Sequence, residues 1–301
     1  MRKILLIGGT GFVGRQVALE LSRQHDKVYI PTRQVEAPAN LKLNPAIHII
    51  SASDYSVESL SQWMRLLGPD GVVINLAGIL HDKNKLPYGL NFKRTHVELP
   101  KAIIQAMKAT GLKRLIHMSA LGASPTGHSM YSRSKGDGEA LVKNSGLQWT
   151  IFRPSVIFGE EDSFINLFGK LQKYFPVFPL AGAHVKFQAV CVKDVALAFV
   201  RSINLPTTYQ KVFDLGGPKI YSLADIVRIA GLRVGHMRKV IPLANWMGYL
   251  QAWALEYAPG ATLMSRDNLA SMREDNILRT SDNCLETVFE IRPIPLESML
   301  Q

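Results

Sequence analysis

Residues 4–14 read Ile-Leu-Leu-Ile-Gly-Gly-Thr-Gly-Phe-Val-Gly, a short apolar run that passes directly into a glycine-rich loop. From Gly9 to Gly14 the loop has the spacing G-x-G-x-x-G. Such glycines allow a sharp turn after a strand, close approach of the backbone to a pyrophosphate, and tight packing of the next helix. Free N–H groups at the start of that helix bind phosphate. The stretch predicts a dinucleotide-binding strand–loop–helix unit, with contacts from Gly8, Thr10, Gly11, Phe12, Val13 and Gly14.

Short apolar runs bounded by turn residues alternate with helix-period stretches through the first half of the chain. The predicted strands are residues 4–7, 27–32, 47–51, 72–76, 114–119 and 148–153. Parallel neighbours need a crossover connection, so this alternation indicates an α/β protein with a doubly wound parallel sheet, a Rossmann fold. In such sheets ligands bind beyond the carboxyl ends of the strands.

Beyond residue 158 the strand–helix rhythm breaks. We predict that residues 1–155 form an NAD(P)-binding Rossmann domain and that residues 187–217 return to it. Residues 156–186 and 218–301 are expected to form a smaller, mostly helical lobe on the substrate side.

The charge of the chain is concentrated in one half. Its 35 Lys and Arg against 24 Asp and Glu give +11, of which residues 1–156 carry 20 − 10 = +10 and the remainder 15 − 14 = +1. Nucleic-acid-binding proteins usually show a basic tail or patch. Because the basic residues of the first half are scattered, we expect an anionic cofactor and no nucleic-acid partner.

The cysteines and the N-terminus bear on location. Cys191 and Cys284 lie far apart, without neighbouring ligands at metal-binding spacing, so we expect no metal site and a reducing compartment. The apolar run after Arg2 and Lys3 is too short for a signal peptide. These features predict a cytoplasmic protein.

The end of the second predicted strand indicates which dinucleotide binds. A free ribose 2′-hydroxyl calls for Asp or Glu at this point, whereas the chain has Pro31-Thr32-Arg33. Arg33, together with Arg15, could make charge-assisted contacts to a 2′-phosphate. NADP(H) is therefore favoured over NAD(H). Asp54 has two interpretations, an acceptor for the adenine amino group or an Asx turn and helix cap.

A candidate reaction site follows the fifth predicted strand. Ser119 ends the strand, and twelve residues later come Tyr131 and Lys135, four apart and so on one face of a helix. A neighbouring ammonium favours the ionised phenol, which is otherwise a poor base because its pKa is about 10. Tyr131 would exchange a proton with a substrate oxygen while the cofactor exchanges hydride, and Ser119 would hydrogen-bond that oxygen. We also expect Lys135 to hold the nicotinamide ribose.

In their order, these motifs resemble those of the short-chain dehydrogenase/reductase superfamily. They are the glycine loop, the run Asn75-Leu76-Ala77-Gly78, Ser119, and the pair Tyr131 and Lys135. Residues 153–164 are similar to an atypical branch that includes the NADPH-binding accessory subunits of respiratory complex I and their bacterial relatives. The resemblance covers nearly the whole chain. It implies that Asn75, Ala77 and Gly78 line an NADP(H) site and that Pro154 lies near the nicotinamide.

Three functions remain open. The leading hypothesis is an NADP(H)-dependent oxidoreductase that uses Ser119, Tyr131 and Lys135 on an apolar carbonyl or quinone-like small molecule. The alternative is a non-catalytic NADPH-binding accessory or sensor protein like the complex I subunit. A sugar-nucleotide epimerase or dehydratase ranks lowest, because the interval from Ser119 to Tyr131 is shorter than those enzymes usually show.

Residues 240–255 contain no charged side chain. The stretch is shorter than the roughly 20 residues of a spanning helix and includes Pro242, so we expect no transmembrane segment. Large apolar residues recur in it at helical spacing: Leu243, Trp246, Leu250, Trp253 and Tyr257. A core or lid helix, a wall for an apolar substrate, and a peripheral membrane contact are the three interpretations.

Overall fold

The computed structural model describes residues 1–34, 38–82, 85–256, 264–280 and 282–300; Tyr257 of the apolar stretch therefore lies outside the described residues. The strands are β1 Lys3–Ile7, β2 Lys27–Thr32, β3 Ile47–Ser51, β4 Val72–Asn75, β5 Arg114–Met118, β6 Gln148–Pro154, β7 Ile157–Phe158, β8 Val177–Leu180, β9 Lys186–Phe187, β10 Val190–Cys191, β11 Lys211–Leu215, β12 Tyr221–Ser222 and β13 Lys239–Pro242. The helices are α1 Phe12–Arg23, α2 Ala39–Lys42, α3 Val57–Arg65, α4 Leu90–Phe92, α5 Leu99–Thr110, α6 Met130–Lys143, α7 Phe164–Tyr174, α8 Val192–Ser202, α9 Leu223–Arg233, α10 Asn245–Glu256, α11 Arg266–Ser271 and α12 Cys284–Thr287. A π-helical turn, Lys93–Glu98, joins α4 to α5, and 3-10 turns cover Pro206–Thr208 and Leu296–Leu300.

Seven strands form one sheet in the order β11-β6-β5-β4-β1-β2-β3, and every neighbouring pair is parallel. The strand order reverses direction between β1 and β4, which is the switch point where such sheets bind ligands. The predicted doubly wound Rossmann fold is confirmed. β11 joins the sheet beside β6, as expected for a segment that returns from the second half of the chain.

Both faces of the sheet are buried. Along β1, Ile4 and Leu6 pack in one core layer with α1 and α8, while Leu5 and Ile7 pack in the other with α3 and α5. Successive strand residues point to opposite faces, so a strand that is covered on both sides needs apolar residues throughout. This is why the sheet strands read as continuous apolar runs.

The smaller lobe has its own apolar core, built from α7, α9 and three two-stranded sheets. The division predicted from sequence stays a prediction, and the core packing differs from it in two places. Phe187, Ala189 and Cys191, predicted to return to the Rossmann domain, are buried in the core of the lobe. Residues 284–291 were assigned to the lobe, but Leu285 and Phe289 are buried in the core of the large sheet. The ring of Phe289 lies 5.4 Å from that of Phe152 on β6. The final part of the chain thus returns to the sheet.

The glycine loop joins β1 to α1, and its backbone packs directly against neighbouring backbone atoms. Gly8 has a positive φ of 80°, and a Cβ on it would lie 2.9 Å from the backbone nitrogen of Ala77, just beyond β4. A Cβ on Gly14 would lie 2.1 Å from the carbonyl oxygen of Gly8. Only glycine fits at either position, because backbone atoms cannot move aside as a flexible side chain does.

Gly8→Ala should destabilise the protein more than Gly68→Ala. Gly68 has a similar φ of 76° but open space around its Cβ direction, so both variants share the backbone strain and only Gly8→Ala adds a clash. We expect an extra loss of about 1–3 kcal/mol in the free energy of unfolding, measured by urea denaturation. Equal losses would show that the contact with Ala77 does not limit the loop.

Candidate functional site

The start of α1 is suited to an anion. Gly11 is the N-cap and makes no side-chain cap hydrogen bond, while its own N–H donates to the carbonyl of Gly8 at 3.1 Å. The first turn of the helix therefore presents N–H groups and the positive end of the helix dipole toward the carboxyl edge of the sheet. Gly11 is exposed, whereas Val13 and Gly14 are buried against the sheet. The residues fit the pyrophosphate of a dinucleotide.

Residues after β4 form the next part of this edge. The buried Asn75 accepts a hydrogen bond from the Ala77 N–H at 3.1 Å, and its amide nitrogen lies 3.1 Å from Nδ1 of His117 on β5. Gly78 is exposed, and a Cβ there would lie 3.3 Å from Nζ of Lys135. Of the set Asn75, Ala77 and Gly78 that the resemblance implies, Gly78 thus lies beside the Lys135 ammonium group.

Tyr131 and Lys135 lie on α6, whose N-terminus has a capping box of Ser129 and Ser132. Lys135 is buried and donates from Nζ to the carbonyl of Met118 at the end of β5, at 3.1 Å. Burial lowers the pKa of Lys135 to about 8. Tyr131 is half-buried, and burial raises its pKa to about 12. The sequence predicts that the neighbouring ammonium group favours the phenolate, whereas here desolvation of the phenolate dominates.

The hydroxyl of Ser119 points to a buried ionic cluster. Its Oγ donates to Glu139 at 2.9 Å, and the same carboxylate accepts from Arg153 at 2.5 and 2.8 Å and from Lys143 at 2.6 Å. Burial opposes ionisation of Glu139, but hydrogen bonds from Arg153 and Lys143 hold its pKa below the usual value. The proton of Ser119 is therefore committed to Glu139, so only its lone pairs remain for another ligand. Its role toward a substrate stays a prediction.

Two buried histidines line the same region, and sequence reasoning assigned them no role. Nε2 of His96 accepts from the Ile79 N–H at 3.2 Å, and its Nδ1 lies 2.8 Å from the hydroxyl of Ser134. Desolvation, reinforced by the charge of Lys135, lowers the pKa of His96 to about 2 and that of His117 to about 3. Both imidazoles are neutral at physiological pH, which leaves Lys135 as the cation beside them.

Arg15, Arg33 and Asp54 are predicted to contact the adenosine part of the cofactor, and their surroundings differ. Arg15 forms an ion pair with Glu161, from the segment after β7, while the exposed Arg33 lies 5.8 Å from the ring centre of Tyr55. Asp54 accepts from the N–H of Ser56 and the hydroxyl of Ser59, both at 2.8 Å, and these bonds lower its pKa to about 2. Asp54 thus supports the start of α3, where Ser56 is the N-cap. Its adenine contact stays a prediction.

Two further positions complete the description of the site. Pro154 ends β6 and is buried, with its carbonyl accepting from the Leu121 N–H at 3.0 Å. Asp267 on α11 accepts from the N–H groups of Met130 and Tyr131 at 2.5 and 3.1 Å, so a residue of the lobe fixes the start of α6. Glu139, four residues after Lys135, could have been found from helical spacing. Asp267 could not, because no local pattern links it to α6.

The described residues contain no group of three or more His, Cys, Asp or Glu side chains that could hold a metal ion. Across the same ranges, no helix combines the length and the apolar character that crossing a bilayer requires.

The free energy of unfolding should fall as the pH decreases below about 7. The folded chain keeps His96 and His117 neutral, whereas the unfolded chain protonates them near pH 6.5 and so binds more protons. The expected loss is about 2 kcal/mol for each imidazole at pH 5. In urea denaturation at pH 7, 6 and 5, His96→Gln should lose less stability on acidification than the wild type. His48→Gln, which alters an exposed histidine, should follow the wild type; an identical pH dependence in all three would contradict the prediction.

Comparison with known proteins agrees with this geometry. Residues 8–176 match a family model described as NAD(P)H-binding. Subunit 9 of the mitochondrial NADH dehydrogenase (ubiquinone) 1 alpha subcomplex is 30% identical in mouse over 302 residues, 97% of this chain and 77% of that protein. The Dictyostelium discoideum subunit is 29% identical over 254 residues, 83% of this chain and 70% of that protein.

Among solved structures, a nucleoside-diphosphate-sugar epimerase from Staphylococcus aureus superposes with a TM-score of 0.74 at 19% identity, and the match covers 100% of both chains. At this identity the match shows a shared fold and nothing about activity. The chain therefore belongs to the NAD(P)H-binding family, as a homologue of the alpha-subcomplex subunit 9 of respiratory complex I with the fold of the epimerase/dehydratase superfamily.

Proposed function

We propose that the protein binds NADP(H) across the carboxyl edge of the sheet and reduces an apolar carbonyl or quinone-like small molecule. The observation that carries the proposal is the position of Lys135. Its buried ammonium group lies at the end of β5, beside Gly78, on the same helix face as Tyr131. A buried cation at this point is costly unless an anionic or hydroxyl-rich ligand contacts it. We place it at the nicotinamide ribose, with the pyrophosphate at the start of α1.

Preference for NADP(H) over NAD(H) rests on Arg33. It follows β2 at the carboxyl edge, where the adenosine ribose lies in this fold, and its guanidinium group is exposed over Tyr55. Arg15 is held by Glu161, so Arg33 is the stronger candidate for the 2′-phosphate. An arginine at this point can donate charge-assisted hydrogen bonds to the 2′-phosphate of NADP(H). It makes no comparably strong interaction with the free 2′-hydroxyl of NAD(H).

The raised pKa of Tyr131 suits the role of a proton donor. A phenol with a pKa of about 12 keeps its proton at neutral pH, so it can donate that proton to a substrate oxygen that becomes negative. NADPH, when bound, supplies the hydride. The rings of Phe92 and His96 meet Tyr131 edge-on, with centroids 6.1 and 5.7 Å away, and their apolar surroundings suit an uncharged substrate. In this proposal Lys135 orients the cofactor, and Ser119 contributes only an acceptor.

A non-catalytic accessory role is the second candidate, and one observation favours it. The proton of Ser119 is committed to Glu139, so a three-residue site would lack one of its usual donors toward substrate. In that role NADPH would stabilise the fold without turnover. The sugar-nucleotide epimerase hypothesis stays lowest, for the short interval between Ser119 and Tyr131. We propose the cytoplasm as the location.

Arg33→Ala should reduce the preference for NADPH. Loss of charge-assisted bonds to the 2′-phosphate is expected to weaken NADPH about tenfold or more while leaving NADH nearly unchanged. Isothermal titration with both nucleotides measures the ratio. Arg23→Ala, an exposed change at the far end of α1, is the matched control and should leave it unaltered. Equal affinity of the wild type for NADPH and NADH would overturn the NADP(H) assignment.

Tyr131→Phe should abolish reduction without weakening NADPH binding. Removal of the general acid is expected to slow oxidation of bound NADPH by about 10²–10⁴-fold. Stopped-flow absorbance against a panel of carbonyl compounds and quinones follows the reaction. Tyr29→Phe, a change of a partly buried tyrosine on β2, serves as the control. Absence of turnover in the wild type and in both variants, with NADPH bound to each, would favour the accessory role.

A further inference from the structure

Helix α10 contacts the lobe through its smallest side chains and exposes its largest. A Cβ on the buried Gly248 would lie 2.7 Å from the Cβ of Ala181, and Ala252 is fully buried. On the outer side, Trp246 is 67% exposed and Leu250 is 53% exposed. A helix that belongs to a core shows the reverse arrangement. The interpretation of residues 240–255 as a core helix is therefore wrong.

The small sheet of β8 and β13, which α10 contacts, also exposes apolar residues; Nε2 of Gln251 on α10 donates to the carbonyl of Pro179 on β8 at 3.2 Å. β8 pairs in parallel with β13, with Val177 opposite Lys239 and Pro179 opposite Ile241, so these four residues share one face of the sheet. Tyr174 and Phe175 lead into β8 and are also exposed. We call this surface the β8 face: Tyr174, Phe175, Val177, Ile241, Trp246, Met247 and Leu250, with Lys173 and Lys239.

The charged residues assigned to the β8 face are basic. The sequence has no Asp or Glu in residues 163–193 or 226–255, although Asp225 and Glu256 flank the second range. Those two carboxylates form ion pairs with Arg228 and Arg266. Lys170, Lys173 and Lys239 are exposed and form no ion pair with any residue that the structure describes. The net charge of residues 157–301 is nearly zero, yet the β8 face within them is basic and apolar.

We propose that the β8 face docks on an anionic phospholipid surface. Exposed tryptophan and tyrosine with flanking lysines are the combination that binds at the boundary between headgroups and acyl chains. Each lysine near an anionic leaflet adds attraction that depends on ionic strength. A second copy of this chain fits less well, because a two-fold contact would set the same unpaired lysines against one another. In this proposal the protein lies on the bilayer surface through this face.

Helix α10, which carries Trp246, Met247 and Leu250 of the β8 face, is linked at its other end to the candidate reaction site through α11. Arg266 at the start of α11 donates to Glu256 at the end of α10 at 2.6 and 2.8 Å, through its backbone N–H and side chain. The next residue, Asp267, accepts from the N–H groups that begin α6. In this proposal docking holds α11, and with it the start of the helix that carries Tyr131, near the bilayer and the apolar molecules dissolved in it. This last consequence rests on the proposed reductase function, whereas docking itself does not.

The experiment is co-sedimentation of the full chain with vesicles of phosphatidylcholine, alone or mixed with phosphatidylglycerol. We expect binding to the mixed vesicles, with a blue shift of tryptophan fluorescence. Trp246→Ser with Leu250→Ser, and separately Lys173→Glu with Lys239→Glu, should each weaken it about tenfold or more. Controls on the other domain are Leu43→Ser with Leu66→Ser and Lys101→Glu with Lys108→Glu, which alter exposed leucines and lysines and should bind like the wild type.

Several outcomes would overturn the proposal. Binding that falls equally in the Lys101/Lys108 control would show a general effect of net charge. Failure to bind mixed vesicles, or equal binding to neutral ones, would also contradict it. A dimer in sedimentation velocity that Trp246→Ser with Leu250→Ser dissociates would assign the face to a second copy. Thermal unfolding of each variant checks the fold, and unchanged NADPH affinity in the vesicle-deficient variants separates this result from a failure of the proposed function.

Discussion

The close approach of backbone to backbone at the glycine loop is the constraint on which the rest of the site depends. Gly14 lies against the carbonyl of Gly8, and Gly8 lies against Ala77 beyond β4. These contacts hold the start of α1 at the switch point of the sheet. The chain segments that follow β4 and β5 begin at the same edge. The N–H groups of α1, the amide of Asn75 and the ammonium group of Lys135 are thereby grouped at one edge. Side chains as small as alanine would separate them.

Burial determines the electrostatics of this edge. Desolvation keeps His96 and His117 neutral, raises the pKa of Tyr131 and lowers that of Lys135. Lys135 retains partial stabilisation from Glu139, whose own charge is shared with Arg153 and Lys143. The result is a buried ammonium group beside a protonated phenol. This arrangement is suited to an anionic nucleotide, and it accounts for a small part of the +10 charge of residues 1–156.

The sheet and the glycine loop could be predicted because short, local sequence patterns specify both. Each predicted strand of the first half matches an observed one to within a residue at either end, since continuous apolar runs and turn residues mark them. The direction of the Ser119 hydroxyl could not be predicted, because it depends on Glu139 being carried to it by α6. Helical spacing correctly indicated a helix at α10 but left open which way its large residues face, because spacing does not show whether the small or the large residues pack inward. The return of Phe289 to the sheet was missed for a similar reason, since its partner Phe152 is far away in sequence.

The cap that Asp267 places on α6 makes the two parts of the molecule thermodynamically dependent on each other. Met130 and Tyr131 have their backbone N–H groups satisfied only while α11 stays against α6. A ligand that bound more tightly with α11 in this place would strengthen the association of α11 with α6 by the same factor, since coupling between two sites is reciprocal. Asp267 would be the point of that coupling.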